Sequence, residues 1–161
     1  MTRGDPPGRP PRIVVDADAC PVKGEVYRVA KRYGLDVLLV AASWIRVPDD
    51  ERVRLIVVND ALKLDAADDR IVEEIGSGDI AVTDDVHLAA RCLEEGARVI
   101  SPRGRVFSTD SIGGAVSTRD FLARLREAGV ETSGPAPFRK ADRSEFLQRL
   151  DETVQAIRRG A

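Results

Sequence analysis

The sequence predicts an α/β fold built on a parallel sheet of about five strands, and three observations predict it. Short apolar runs rich in β-branched residues recur along the chain, segments with helical spacing separate most of them, and glycines stand where several of those segments end. A parallel connection needs a dozen or more residues, which a helix supplies compactly, so alternating strands and helices favour parallel pairing with right-handed crossovers. Length agrees, since 161 residues suit one compact domain, large enough to bury roughly 70% of its unfolded surface.

Taken in order, residues 1–11 carry four prolines and two glycines without apolar periodicity, which predicts a disordered tail. A single domain is expected over residues 12–161, with helices extending its C-terminal part. Ile13 to Val15 form the first strand, closed by Asp16 and Asp18. Pro21 suits a first helical turn, because its fixed φ fits and its missing N–H has no partner to lose there. Val22, Val26, Val29, Ala30 and Tyr33 then recur at helical spacing, and Gly34 is a left-handed stop. Leu35 to Ala42 and Val53 to Val58 read as strands around a polar turn carrying Trp44. Asp65 to Gly76 reads as a helix, Asp79 to Thr83 as a fourth strand, Asp85 to Glu95 as a helix stopped by Gly96, and Arg98 to Ile100 as a fifth strand. Pro102 to Arg105 is a loop. Ser117 to Ala128 is helical, and Asp142 with Glu145 resembles a capping box opening a last helix through Ile157.

Composition narrows the function classes. With 25 basic and 27 acidic residues the net charge is -2, so no global attraction to nucleic acid or anionic membrane exists and any such site is a local patch. Cys20 and Cys92 lack the Cys/His spacing of a zinc site and read as reduced thiols. No apolar run approaches the roughly 18 residues of a membrane span, and the N-terminus lacks a signal-peptide apolar region. A cytoplasmic protein without a membrane partner is expected.

Carboxylates gather in three segments. Asp16 and Asp18 follow the first strand, Asp65, Asp68 and Asp69 open a helix at spacings that share a face, and Asp84 and Asp85 follow the fourth strand. Like charges about 4 Å apart repel by about 4 kcal/mol at an effective dielectric of about 20, so a cluster needs a counter-charge. Mg²⁺ or Mn²⁺ is the simplest, being hard cations that take oxygen ligands and activate water for attack on phosphorus. The structural alternatives are helix capping by Asp65 and dipole complementation by Asp68, Asp69 and Asp84. Asp16, directly after a buried strand, has no such duty. Lys23, Arg103, Arg105 and Arg119 are the candidate phosphate contacts, which position nucleic acid without reading its sequence. Cys20 at a helix start is a weaker candidate, as a thiolate favoured by the dipole. His87 is the only histidine, so any His-dependent triad must use it.

Asp16-Ala17-Asp18-Ala19-Cys20-Pro21-Val22-Lys23, Asp65-Ala66-Ala67-Asp68, Gly78 to Asp85 with Leu88-Ala89, and Pro102-Arg103-Gly104 together resemble the YaiI/YqxD family of bacterial proteins over residues 12 to 150. That family is grouped with PIN-like nuclease folds. The resemblance implies a three-layer, Rossmann-like sheet of order 3-2-1-4-5 and a metal-binding acidic cluster. It places the acid after the first strand on Asp16 and the acid of a Thr-x-Asp motif on Asp85, with Asp65 or Asp68 between them. Where related nucleases carry a further acid two positions on, this chain has His87, and Asp18 is the substitute.

The reading is a metal-dependent, ribonuclease-like phosphodiesterase using Asp16, Asp68 and Asp85 as catalytic carboxylates. Asp16, Asp18, Asp65, Asp68 and Asp85 are the candidate metal ligands, and single-stranded or structured RNA is the candidate partner. Two alternatives share the residues: a haloacid-dehalogenase-like phosphatase with Asp16 as nucleophile, Asp18 as acid/base, Asp84 and Asp85 as the metal pair and Lys63 as its available lysine, and a module that binds metal or RNA without turnover.

Overall fold

A computed structural model describes residues 9–160. The elements run β1 (Ile13–Asp16), α1 (Lys23–Tyr33), β2 (Val37–Ala41), β3 (Val53–Val57), α2 (Ala66–Glu74), β4 (Ile80–Val82), α3 (Val86–Glu94), β5 (Arg98–Ile100), β6 (Val106–Phe107), α4 (Thr109–Glu127) and α5 (Lys140–Arg158). The sheet order is β3-β2-β1-β4-β5-β6, parallel throughout except for the β5–β6 pair. Strands β1 to β5 thus take the expected order. This is a three-layer α/β architecture compatible with a PIN-like fold.

Strand side chains alternate between two cores. Ile13, Val15, Val37, Leu39, Ile80, Val82 and Ile100 face one side, where Val26 and Val29 of α1 and Phe146, Leu150 and Val154 of α5 cover them. Val14, Leu38, Val40, Ala81 and Val99 face the other, against Ile71 of α2, Leu88, Ala89 and Cys92 of α3 and Ala115 of α4. Burial on both faces explains why β1, β2 and β4 read as continuous apolar runs instead of alternating ones.

The structure corrects the sequence reading in four places. The sheet has a sixth strand, β6, whose two residues are too short to show any periodicity. It returns beside β5 because Ser101 to Gly104 form a tight turn, with Gly104 N–H donating to the Ser101 carbonyl at 2.9 Å. Gly104 has φ +88°, and a Cβ there would stand 2.7 Å from Glu145 Cγ and 2.9 Å from the Phe146 nitrogen, so the loop can lie on α5 only as glycine. Helix α4 begins at Thr109, well before Ser117, because Ser108 and Ser111 form a reciprocal capping box ahead of Gly113 and Gly114. Helix α5 begins at Lys140, and Asp142 stands at its third position, accepting the Arg139 N–H at 2.9 Å instead of opening the helix. Of the tail expected over residues 1–11, residues 1–8 lie outside the described residues. Arg9 pairs with Asp79 and Pro11 is buried, so those last positions belong to the domain.

Candidate active site

The carboxyl edge of the sheet is where the candidate side chains come together, because β1 and β4 are neighbours and both release the chain there. Asp16, half-buried, closes β1. Thr83, just past β4, is buried and bridges the two segments: its hydroxyl donates to Asp16 Oδ2 at 2.9 Å and accepts the Asp85 N–H at 3.1 Å. Asp85 is the N-cap of α3, its Oδ1 accepting from the His87 and Leu88 N–H groups at 2.9 and 3.2 Å. Asp85 Oδ2 and Asp16 Oδ1 carry no hydrogen bond. The capping duty of α3 therefore falls on Asp85, and Asp84 is left exposed.

Asp68, in the first turn of α2, makes neither side-chain hydrogen bond nor ion pair among the described residues. Burial, then the charges of Asp85, Asp16 and Asp65, push its pKa from 3.8 up to about 6, with Arg91 opposing. Asp16 is also raised, chiefly by burial; the Thr83 hydroxyl opposes this, and Asp18 and Asp85 add to it. The next residue along α2 is the opposite case. Asp69 takes both local cations, Lys63 and Arg91, each at 2.9 Å, and they hold its pKa low. Asp65 stands at the N-cap of α2 without a side-chain capping bond. Asp18 turns away, both its oxygens accepting the Ala42 N–H at 3.0 and 2.9 Å, which ties the end of β1 to the end of β2.

A cleft of about 370 Å³ is lined by Asp16, Asp84, Asp85, His87 and Arg119 among others. It adjoins a second cavity of about 400 Å³ along α4, also lined by Arg119 and containing Arg105. Arg119 thus reaches the acidic site from a helix far along the chain. Arg105 stacks over Phe107 at 5.0 Å, with its guanidinium free of any ion pair. The two other predicted phosphate contacts are engaged elsewhere. Lys23 Nζ donates to the Cys20 carbonyl at 3.0 Å. Arg103 bonds the Ala136 carbonyl and Asp142 and lies over Phe138, strapping the loop after β5 to the segment before α5.

Sequence reasoning missed Asp120, which pairs with His87 Nε2 at 2.9 Å and joins the starts of the site to α4. Asp120 lay within the helix expected over Ser117 to Ala128, but no local pattern pairs it with a histidine 33 residues earlier. The thiol reading does not hold. Burial raises the Cys20 pKa, outweighing the backbone bond and Lys23 that favour the thiolate, and burial pushes Cys92 up to about 12. The phosphatase reading loses two parts, since Lys63 is committed to Asp69 and Asp18 to Ala42.

Hard oxygen donors, with the Asp16 and Asp68 pKa values raised chiefly by burial, fit a divalent cation in chemistry. Among the described residues, no three His, Cys, Asp or Glu side chains are grouped to hold an ion as they stand. No helix among the described residues is long and apolar enough to cross a membrane.

Fold and site define a class: three-layer α/β proteins with an acidic carboxyl edge on a mostly parallel sheet. Within it, the chain belongs to the family described as uncharacterised, YaiI/YqxD, whose model matches residues 14–156. Its relatives include proteins named UPF0178. One from Rhodospirillum centenum is 52% identical over 152 residues, covering 92% of this chain and 97% of the relative. Another from Paramagnetospirillum magneticum is 50% identical over 148 residues, covering 92% and 97%. A third, from Rhodopseudomonas palustris, is 50% identical over 150 residues, covering 93% and 96%. No solved structure matches the chain.

Proposed function

We propose that this protein is a metal-dependent phosphodiesterase acting on RNA, with Asp16, Asp68 and Asp85 as the ligands of Mg²⁺ or Mn²⁺ and Asp65 and Asp18 beside them. The observation that carries the reading is Asp68: a partly buried carboxylate with no cation of its own, its pKa raised to about 6 by burial and three neighbouring acids. A fold that needed only stability would pair it, as Asp69 is paired one residue on. When bound, the ion supplies the missing counter-charge and lowers the pKa of a water for attack on phosphorus. The chain's own residues prepare for it. Thr83 holds Asp16 by one oxygen, the start of α3 holds Asp85 by one oxygen, and each keeps a second oxygen for ligation. Arg119, at the cleft, and Arg105, in the adjoining cavity, supply the cations for phosphates next to the reacting one on the α4 side of the site. Asp68 must release its proton to ligate, so metal affinity falls as pH drops below about 6.

Purified protein is expected to cleave single-stranded RNA with Mn²⁺, and to lose that activity on Asp16→Asn with Asp85→Asn. Activity that survives the double substitution sinks the proposal. One observation favours a second reading. His87, held by Asp120, stands where a fourth carboxylate is expected from the resemblance. A module that retains RNA on a filter but cleaves none of it under either ion would be a binder without turnover.

A further inference from the structure

The carboxyl edge of the sheet changes chemistry from one side to the other. After β1 and β4 it is acidic, and towards β5 and α4 it presents Arg105 and Arg119. After β2 it presents Trp44, 72% exposed. This is the only tryptophan, and it is held out from an anchored loop. On one side of it the Ala42 N–H is fixed to both oxygens of Asp18, and on the other Ile45 and Val47 pack into the core. Arg46, exposed beside it, makes no ion pair or side-chain hydrogen bond among the described residues. An indole lifted into solvent on a fixed base, with an uncommitted guanidinium two residues on, has the two parts by which proteins hold single-stranded nucleic acid: a ring on which a base stacks and a cation for the adjoining phosphate.

We propose that Trp44 and Arg46 form a stacking platform for an unpaired base of single-stranded RNA, one that lies on the β2 side of the acidic site and is continuous with it through the Asp18–Ala42 contact. The inference rests on the phosphodiesterase reading for its substrate class and extends it, since it selects unpaired RNA over duplex. Two fully exposed leucines, Leu62 and Leu64, follow the neighbouring strand β3. A protein surface is the competing occupant, and these leucines distinguish it. Asp60 and Asp65, which flank them, disfavour a phosphate chain at that point.

The sole tryptophan makes binding directly readable. Full-length protein in a chelator, so that RNA stays intact, is titrated with a single-stranded oligoribonucleotide of mixed sequence, then with the same strand annealed to its complement. Quenching of Trp44 fluorescence by the single strand and not by the duplex is expected. Trp44→Ala should weaken binding, followed by anisotropy of a labelled strand, by roughly tenfold, and Trp44→Phe should recover most of it. Arg46→Ala should flatten the salt dependence of binding by about one counterion. Unchanged affinity in Trp44→Ala, or equal quenching by duplex, overturns the inference. So does an emission change that follows protein concentration and disappears in Leu62→Ser with Leu64→Ser, which identifies self-association. Failure of the two readings is distinguishable. Quenching and binding without cleavage under Mn²⁺ removes the catalytic reading and leaves the platform; cleavage with Trp44 unaffected removes the platform and leaves the catalysis.

Discussion

The two edges of the sheet handle buried carboxylates in opposite ways. At the amino edge, Asp79 is fully buried and completely engaged: Arg9 and Arg12 pair with it, each at 3.1 Å, and the Arg12 and Gly76 N–H groups donate to it at 2.9 Å. At the carboxyl edge, Asp68 is less buried yet has no partner among the described residues, and the charges that act on it most strongly are of its own sign. Both positions lie where helices meet strand ends. Burial alone therefore does not decide whether an acid is paired; the placement of cations does. Asp79 locks the chain's entry into β1 to the start of β4, whereas Asp68 has no cation paired with it among the described residues.

Substitutions should separate the two edges in sign as well as in size. The largest effect is expected from Asp79→Ala, which leaves two arginines without their anion and strands the Gly76 N–H. A loss of about 3 kcal/mol is expected, measured by urea unfolding. A loss below about 1 kcal/mol would show that the amino edge is not the scaffold half of the comparison.

Asp68→Asn should act in the other direction. The folded-state pKa of Asp68 lies above that of an ordinary aspartate, so between pH 3.8 and about 6 the folded protein binds more protons than the unfolded chain. Stability is then highest below the unfolded value and is lost as pH rises towards the folded one. Near pH 4 the variant and the wild type should unfold alike. Above pH 6 the variant should be more stable by about 2 kcal/mol, allowing for solvent screening of a partly exposed group. A variant less stable than wild type at pH 7 would show that Asp68 has a structural partner after all.

The smallest effect concerns Asp85, which belongs to both halves of the comparison because it caps a helix and faces the acidic cluster. Asp85→Asn keeps the capping oxygen and should leave stability within a few tenths of a kcal/mol, whereas Asp85→Ala should cost about 1 kcal/mol. Thermal denaturation of the two side by side measures the capping part alone. If the pair denature together, the cap contributes nothing and Asp85 belongs wholly to the site.

Much of this was legible in the chain. Apolar runs with glycine stops located β1 to β5 and three helices to within a few residues, and the order of β1 to β5 was the expected one. That Asp16 and Asp85 stand after neighbouring strands was implied by the family resemblance, and the pairing of β1 with β4 agrees with it. Illegible were the sixth strand, too short for a pattern, and the extension of α4 through Gly113 and Gly114, whose weak helix propensity hid the capping box before them. The basic rim was half legible. Arg119 reaches the cleft, but Arg103 is taken up by Asp142, 39 residues on.

By itself, then, the sequence determined the positions of β1 to β5 and of most helices, which acids leave the sheet at its carboxyl edge, and the family to which the chain belongs, because those depend on local periodicity and on neighbouring positions. Only the tertiary structure decided the pairing: Asp69 with Lys63 and Arg91, Asp79 with Arg9 and Arg12, His87 with Asp120, and Asp68 with nothing. Charges interact over a few ångströms of space regardless of their separation along the chain, so an acid becomes scaffold or site according to which cation the fold brings within reach.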